Sequence, residues 1–458
     1  MIYNKKIMVN FSREIFMIKI ILMLLIVSLP LYAQQEMTVE DAIKLGLKNN
    51  YDIQIARNDA EIALNDKGKG IAGFLPVIDT SNTLRYNSTN QITGSPLSFS
   101  ESVTRVVGAQ ISLNWTLFDG FKMFVDRSRY NELAKLGEYE ASNTIENTVV
   151  AVMQAFFDLV QQEQLIDVAR DTLEVSQTRL EREEVRSDLG GASTTDLLNA
   201  RVNFNNDRTV LLNQELSVEI SRKELNILLA QDTAQPIIVK KEITIPPLDF
   251  SLDELLSFAR EHNSELLVAR QNKIVAKKEV KIARSSFYPR VLLSGNYGYN
   301  DRELFGGGFG GSFGGISLTS QSKKSHTIDA GIGLVLSFNL FNGNLDKIEL
   351  QNARIELRNQ ELALKNIENE LGGLIREKHV TLQKRLQTVE IEKQNVVAAR
   401  QNLTLQQDRY RIGAADSLDF RDAQVNLARA QNTLIVASFQ SRITLLEIQQ
   451  LIGKLEIE

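Results

Sequence analysis

The sequence LNWTLFDGF at residues 113–121 recurs in closely similar form as LSFNLFNGN at residues 336–344. Both segments alternate apolar side chains with small or polar ones, and both then reach an aromatic residue, a turn-forming residue and a glycine. Alternation of this kind predicts a β-strand, and the glycine predicts a change of backbone direction. The recurrence after 223 residues indicates that the chain is an internal duplication.

The two copies align over almost their whole length. Residues 38–87 match residues 251–300 at a constant offset, and a second constant offset holds from Leu113 and Leu336 onward. The additional residues of the second copy coincide with the glycine-rich stretch LFGGGFGGSFGG, which we interpret as a flexible loop on the extracellular side. The part that aligns without a gap indicates a rigid element, because loops tolerate insertions.

Each copy is predicted to contain a helix, two strands, a very long helix and a shorter helix. The long helices lack proline, which breaks helix interiors, and at 1.5 Å per residue each would be roughly 100 Å long. A compact globule of this chain length would be only about 55–60 Å across, so we expect an elongated molecule. The predicted ranges are a signal peptide, 1–33; a first repeat, 37–230, with strands 77–87 and 103–118 and helices 122–188 and 194–230; a linker, 231–249; and a second repeat, 250–454, with strands 290–300 and 326–341 and helices 345–411 and 416–452.

The N-terminus has the pattern of an export signal. Basic residues, among them Lys5, Lys6 and Arg13, precede an apolar run that ends in the small residue Ala33. The whole chain has a formal net charge of −5, and removal of the basic leader makes it more negative, which argues against a nucleic-acid partner. There is no cysteine, so a disulfide framework and a thiolate metal site are excluded.

The second strand of each copy has one apolar face and one small, polar face over about 15 residues. A soluble sheet also alternates, but its strands are usually about five or six residues long, so the pattern favours membrane strands around water. Four strands cannot close a barrel, because known membrane barrels start at about eight strands. Three chains would give about twelve strands and an aqueous lumen. A long soluble coiled coil remains the alternative for the helices.

With the turns LGGASTTDLLNAR, residues 189–201, and IGAADSLDFRDAQ, residues 412–424, the chain resembles the TolC family of outer-membrane efflux channels. The resemblance implies an α+β membrane protein, a homotrimer with a 12-stranded β-barrel in outer-membrane lipid and a periplasmic α-helical barrel. It also implies export of small molecules or proteins in a tripartite efflux or type I secretion system. The implied partners are a periplasmic adaptor protein and a proton-driven or ATP-driven inner-membrane transporter.

The resemblance further implies a periplasmic gate at the two helix turns. Tyr410, Asp419 and Asp422 match the family pattern, whereas Ala415 occupies the position of the family's arginine and Asp416 adds a charge beside it. Asp419 and Asp422 are three residues apart, hence on one helix face; around a threefold axis six carboxylates would favour cations. Asp196 and Asn199 occupy the equivalent places of the first turn. The expected adaptor-contacting residues are Gly190, Gly191, Ser193, Thr194, Gly413, Ala414 and Ser417.

At the two strand–helix junctions, each residue type has an expected role. The aromatic residues are expected to pack inside the transition, the Asp and Asn to cap the following helix, and the glycines to permit the bend. These residues are Phe118, Asp119, Gly120, Phe341, Asn342 and Gly343.

An enzyme is not predicted. The three histidines lie far apart without ligand spacing, and no Gly-Lys-Ser/Thr follows the glycine-rich stretch, so neither a metal site nor a phosphate-binding loop is indicated. No catalytic residue or cofactor is therefore expected. The competing hypotheses are a structural or adhesive surface protein built on long helices, and a passive diffusion porin, for which periplasmic helices have no purpose.

Overall fold

The computed structural model describes residues 36–93, 98–189, 193–312, 315–414 and 417–455. The predicted signal peptide lies outside the described residues. The fold is helix-rich α+β, with four strands in one sheet. Its elements are α1 Val39–Asn49, α2 Tyr51–Asp66, α3 Lys69–Ala72, β1 Val77–Thr93, β2 Ser98–Asp119, α4 Lys122–Asp188, α5 Thr194–Leu228, α6 Leu252–His262, α7 Ser264–Ser285, β3 Arg290–Ser312, β4 Gly315–Ser337, α8 Leu345–Arg411 and α9 Ser417–Leu451.

Equivalent asparagines separate the first two helices of each copy. The Asn50 side chain accepts a hydrogen bond from the backbone N–H of Asp52 at 2.8 Å, and the Asn263 side chain accepts one from the N–H of Leu266 at 2.9 Å. Each asparagine is an N-cap that satisfies an amide left over at the start of a helix. The chain therefore changes direction at the same place in both copies.

The sheet is a continuous antiparallel meander in the order β1-β2-β3-β4. The pairing of β2 with β3 joins the two repeats, from Ser98 opposite Gly310 to Asp119 opposite Arg290. The interpretation of the glycine-rich stretch as a loop is wrong, because this stretch continues β3 to Ser312 and pairs with β4. Glycine has a low strand propensity, but its backbone makes the same ladder hydrogen bonds as any other residue.

The strand before the second junction is shorter at this end than the sequence predicts. β4 ends at Ser337, whereas the predicted strand reaches residue 341. Within the chain, β3 begins at Arg290, which is opposite Ser337, so residues beyond Ser337 have no partner on that side. β2 reaches Asp119 because β3 pairs with it to the end.

The first strand–helix junction is closely packed. Gly120 and Phe121 both have left-handed backbone angles, with φ of 69° and 71°. Asp119 accepts a hydrogen bond from the backbone N–H of Met123 at 3.0 Å and so satisfies a free amide at the start of α4. The ring of Phe118 meets the ring of Phe121 edge-on at 5.0 Å. The junction thus changes from strand to helix within a few residues and brings aromatic rings into contact there.

The second junction has the same backbone but a more open environment. Gly343 and Asn344 are left-handed, with φ of 73° and 67°. Phe341 is 78% exposed within the single chain, so it does not pack inside the junction as expected. The side-chain amide of Asn339 donates to Asp346 at 3.2 Å, in the first turn of α8. The two junctions therefore share a conformation and differ in what surrounds them.

The chain forms two compact units, each with its own apolar interior. Ile43, Leu159, Leu225 and Leu229 are among the buried residues of the first unit. The interior of the second unit includes Leu255, Leu266, Leu371, Ile375, Leu382, Leu445, Ile448 and Ile452. The first unit comprises residues up to Lys48, Val152–Thr244 and Val389–Phe439; the second comprises Asn49–Ala151, Ile245–Thr388 and the residues from Gln440 onward.

The linker between the repeats belongs to the first unit as far as Thr244. Its strand-like residue Val239 pairs in parallel with Met37, whose backbone N–H donates to the carbonyl of Ile238 at 2.7 Å. The described part of the chain has no helix with the length and apolar character required to cross a membrane.

Replacement of Gly120 by alanine is expected to destabilise the protein strongly. A Cβ atom there would lie 2.3 Å from the carbonyl oxygen of Ser285, and the left-handed backbone alone costs a non-glycine residue about 1–2 kcal/mol. The neighbouring Gly73→Ala is the control, because its φ is −61° and the nearest atom to the added Cβ is 4.0 Å away. Thermal unfolding followed by circular dichroism measures both; equal midpoints would contradict this account of the junction.

Candidate functional site: a buried polar network beside the helix turns

The two helix turns bring four helices of the first unit to a common region. At the first turn, Ser193 caps α5: it accepts from the N–H of Asp196 at 3.1 Å and donates to the Asp196 carboxylate at 2.8 Å. At the second, Gly413 has a left-handed φ of 77°, and the N–H of Ala414 donates to the carbonyl of Arg409 at 2.8 Å. These are the hydrogen bonds that end one helix and start another. Of the predicted turn and gate residues, Gly190, Gly191 and Asp416 lie outside the described residues.

Tyr410 lies in a buried pocket between α8, α4 and α9. Its hydroxyl donates a hydrogen bond to Glu183 on α4, which is fully buried. Its ring stacks on Phe420 of α9 at 5.4 Å, and the guanidinium of Arg182 lies 4.7 Å from the ring centre. Burial raises the pKa of the Tyr410 hydroxyl above its ordinary value, and the bond to Glu183 acts in the same direction. The tyrosine is therefore a neutral donor to a buried carboxylate.

The charge of Glu183 is balanced by its own helix. Arg186 lies one turn further along α4, and its Nη1 is 3.2 Å and 3.3 Å from the two carboxylate oxygens of Glu183. A buried carboxylate requires such a partner, because desolvation of an unpaired charge costs several kcal/mol. Tyr410 thus joins a charge pair that is already formed within α4.

A second part of the network is a bidentate ion pair between α9 and α5. Arg421 donates to both oxygens of Asp207, at 2.6 Å and 2.8 Å, and both residues are largely buried. Ser176 of α4 also donates to Asp207. Gln424 of α9 donates to the carbonyl of Thr172 in α4 at 2.8 Å. The planar, two-bond geometry of the Arg421–Asp207 pair fixes orientation as well as distance. Together with the bond from Gln424, it holds α9 against both α5 and α4.

Arg179 lies between the Tyr410–Glu183 part of the network and the Arg421–Asp207 part, near the start of α9. Its guanidinium donates to the hydroxyl of Ser417, and the side chain is almost fully buried. Burial lowers the pKa of Arg179, and the nearby charge of Arg421 adds to this effect. Two cationic groups therefore share one desolvated region with the carboxylates of Glu183 and Asp207.

The structure separates the gate residues that the sequence predicts. Tyr410 is part of the buried network, whereas Asp419, Asp422 and Asn199 are exposed and Asp196 is half-buried beside its cap. Among the described residues, no group of three or more His, Cys, Asp or Glu side chains has the geometry to hold a metal ion. The arrangement connects helices through hydrogen bonds and charge pairs between these groups.

Sequence reasoning missed Glu183, Asp207 and Arg421. The predicted gate residues follow from the resemblance to the family, which does not point to these three, and all three differ between the repeats. The positions equivalent to Tyr410 and Arg421 in the first repeat are Ser187 and Leu198. A charged or aromatic residue that replaces a small or apolar one at an equivalent helix position is the signal that would have identified the network.

The chain matches the family model of the outer membrane efflux proteins over residues 42–231 and 255–454. A curated relative, outer membrane protein TolC of Vibrio cholerae, is 22% identical over 169 residues. That match covers 37% of this chain and 39% of the relative, so it spans less than half of the relative's length.

Solved outer membrane channels have a similar fold. The CmeC channel of Campylobacter jejuni superimposes with a TM-score of 0.74 at 16% identity, covering 91% of this chain and 85% of that chain. VceC of Vibrio cholerae gives 0.69 at 16% identity, with 91% and 96% coverage. The open state of MtrE of Neisseria gonorrhoeae gives 0.67 at 16% identity, with 91% and 89% coverage. At such low identity the likeness concerns the fold alone.

Breaking the ion pair between Arg421 and Asp207 on one side is expected to destabilise the first unit. Arg421→Met leaves a buried carboxylate without its main partner, which costs on the order of 3 kcal/mol. The double variant Arg421→Met with Asp207→Leu removes both charges and should regain most of that loss. The measurement is the helical signal at 222 nm during thermal unfolding. Additive effects of the two substitutions would show that the pair is not energetically coupled.

Proposed function

Because this chain belongs to the outer membrane efflux protein family, we propose that it is a channel-tunnel through which small molecules or proteins leave the cell. Membership of the family places the chain in the outer membrane. In this proposal the chain works in a tripartite efflux or type I secretion system, with a periplasmic adaptor protein and a proton-driven or ATP-driven inner-membrane transporter. It has no catalytic role.

The sheet is the observation that supports a channel most directly. β1 and β4 form its two edges, and on one face the strands expose large apolar side chains such as Ile78, Ile111, Ile332 and Leu336. A sheet in lipid cannot have open edges, because its unpaired backbone groups find no water there. Lipid would cover the exposed apolar side chains, and further copies of the chain would pair with the open edges.

A ring of three chains is the arrangement we propose. It has about twelve strands, enough for an aqueous lumen. The second junction supports it: Gly120 packs against Ser285 of the following repeat, whereas Gly343 has no atom within 4 Å of an added Cβ. In a closed ring, the end of α3 in the next copy supplies the equivalent surface, and Leu75 is 59% exposed there. The long helices then continue the tube as a helical barrel.

The buried network is proposed to hold the tunnel closed at the turns. Tyr410 and Arg421 on α8 and α9 bind Glu183 and Asp207 on α4 and α5, so these bonds link the helices of one repeat to those of the other. Movement of one helix pair away from the other requires that they break. The turn residues Ser193, Thr194, Gly413, Ala414 and Ser417, with Gly190 and Gly191, are the proposed contact surface for the adaptor.

The channel hypothesis predicts a trimer that conducts ions when the network is weakened. The mature protein should sediment as a trimer in detergent and conduct weakly in planar bilayers. Tyr410→Phe combined with Asp207→Asn should raise single-channel conductance several-fold, because both links between the helix pairs are lost or weakened.

Asp158→Asn is the matched control for this conductance experiment. Asp158 accepts a hydrogen bond from Ser221, which joins α4 to α5 within one pair, so its loss should leave conductance unchanged. A monomer with no conductance would refute the channel. A conducting trimer that responds equally to both variants would refute only the role of the network.

The exposed carboxylates near the second turn are proposed to face the pore. Asp419 and Asp422 lie on one face of α9, and three chains would present six carboxylates, which attract cations. Asp419→Ala with Asp422→Ala should therefore weaken block of the channel by divalent and trivalent cations, at least tenfold in blocking concentration. Asp171→Ala, an exposed acid elsewhere on α4, is the control. Unchanged block in the double variant would remove this ring from the gate.

A further inference from the structure

The apolar face of the sheet is bounded by a row of charged side chains. The strand register places Tyr86, Arg105, Glu303 and Lys324 side by side across β1, β2, β3 and β4. Along β2 and β4, the residues of the same face in the direction of the junctions are apolar: Val107, Ala109, Ile111 and Leu113 on β2, and Ile328, Ala330, Ile332 and Leu334 on β4. The charged row therefore marks one border of the apolar band.

The basic side chains of this row are more exposed than the acidic side chain with which they pair. Glu303 is 6% exposed, and its two carboxylate oxygens are 3.2 Å from Nη2 of Arg105 and 3.1 Å from Nζ of Lys324. In the adjacent row, Asp301 is 3.4 Å from Nδ1 of His326. The side chains of Lys324 and His326 are each 60% exposed, whereas that of Asp301 is 24% exposed. The most exposed side chains of the two rows are therefore those of Lys324 and His326, which are held in place by Glu303 and Asp301.

Arg105 retains unused hydrogen-bonding capacity. Its Nη2 contacts Glu303, while its Nε is buried and has no hydrogen-bond partner among the described residues. A guanidinium has five N–H donors in a planar fork that suits phosphate as well as carboxylate. The side chain of Arg105 is 34% exposed, so an additional oxyanion above the row would find donors from the exposed part of its guanidinium and from Lys324.

The position of the row agrees with a membrane border. Arg105 is ten residues from Trp115 on the same face of β2, which is about 34 Å at 3.4 Å per residue. A strand tilt of about 40° reduces this to a height of about 26 Å, close to the roughly 25 Å apolar band of membrane barrels. Tyr86, at the β1 end of the row, is exposed, as aromatic residues at lipid–water interfaces are.

We propose that Arg105 and Lys324, positioned by Glu303 and assisted by His326, bind the phosphate groups of lipid headgroups at the outer border of the membrane. This proposal rests on the proposed function, in which the sheet lies in the outer membrane. The partner is an anionic phosphorylated lipid whose acyl chains contact the apolar band and whose phosphate reaches the exposed nitrogen donors. The opposite face of the same strands, with Arg302 and Lys323, faces away from this lipid.

Retention of lipid by the reconstituted protein tests the proposal. The mature protein is placed in nanodiscs of phosphatidylglycerol and a neutral diglucosyl diacylglycerol, and then recovered in detergent. Phosphatidylglycerol per chain is counted by native mass spectrometry. Arg105→Gln with Glu303→Gln and Lys324→Gln removes the charges together, so no buried carboxylate is left unpaired. We expect at least a threefold loss of retained phosphatidylglycerol in this triple variant.

Arg302→Gln with Lys323→Gln is the matched control, because it removes two positive charges from the same strands on the opposite face. It should retain phosphatidylglycerol as the unmodified protein does. Equal retention by the triple variant and the control would overturn the proposal. Binding of inorganic phosphate to lipid-free protein, with the same affinity and the same loss in the triple variant, would also overturn it in favour of a free-phosphate site.

The fluorescence of Trp115 distinguishes failure of the headgroup proposal from failure of the channel hypothesis. This residue is the only tryptophan of the chain, so its fluorescence reports on one position of β2. Quenching by brominated lipids in the unmodified protein and in both variants shows that the sheet lies in the bilayer. Quenching with equal lipid retention would overturn only the headgroup site. Absence of quenching in the unmodified protein would refute the membrane placement on which the proposal rests.

Discussion

The edges of the four-stranded sheet impose the constraint on which the rest of the architecture depends. Each strand backbone needs hydrogen-bond partners on both sides, and the chain supplies both only for β2 and β3. In water an edge strand is tolerated, but in lipid it is not. In lipid, long strands with an apolar face therefore need further hydrogen-bond partners at both edges of the sheet, and in the proposed trimer other copies of the chain supply them. The open second junction, with Gly343 uncontacted and Phe341 exposed, agrees with the proposed pairing between copies.

Two kinds of position can be distinguished in the duplication. Residues shared by the repeats set backbone geometry: Asn50 and Asn263 cap equivalent helices, and Gly120 and Gly343 take the same left-handed conformation. Residues that differ between the repeats make the buried network, in which one repeat supplies the carboxylates and the other the tyrosine and the paired arginine. The residues that set the backbone geometry are the same in both copies, because both copies need the same bend. The bonds of the network join an acid of one copy to a tyrosine or an arginine of the other, at positions where the two copies have diverged.

The sequence was sufficient where a local rule acts alone. The proline-free segments 122–188 and 345–411 have the bounds of α4 and α8, because nothing in those segments interrupts a helix. The resemblance to the efflux channels is confirmed by the family model. The extent of the strands was less accessible, because backbone pairing with β4 continues β3 through its glycine-rich part to Ser312.

The buried network could not be derived from one helix at a time. Glu183 and Asp207 look like ordinary surface acids of long polar helices, and only the packing of α4, α5, α8 and α9 buries them. Asp419 and Asp422, which the helical spacing singled out, are exposed in the chain, and their proposed role requires neighbours that a single chain does not contain. Helical periodicity identifies a face of a helix, and tertiary packing decides which face is desolvated.

The unequal repeats also have a mechanical consequence. In a ring of three chains the helix pairs would meet at six seams, but only the three seams within chains contain the bonds of Tyr410 and Arg421. Ser187 and Leu198 occupy the equivalent places of the first repeat, so the seams between chains must be held by other chemistry. Because the seams within chains and those between chains would differ in stability, they would not open at the same time. Opening would pass through a discrete intermediate, visible as a subconductance level between the closed and the fully open tunnel.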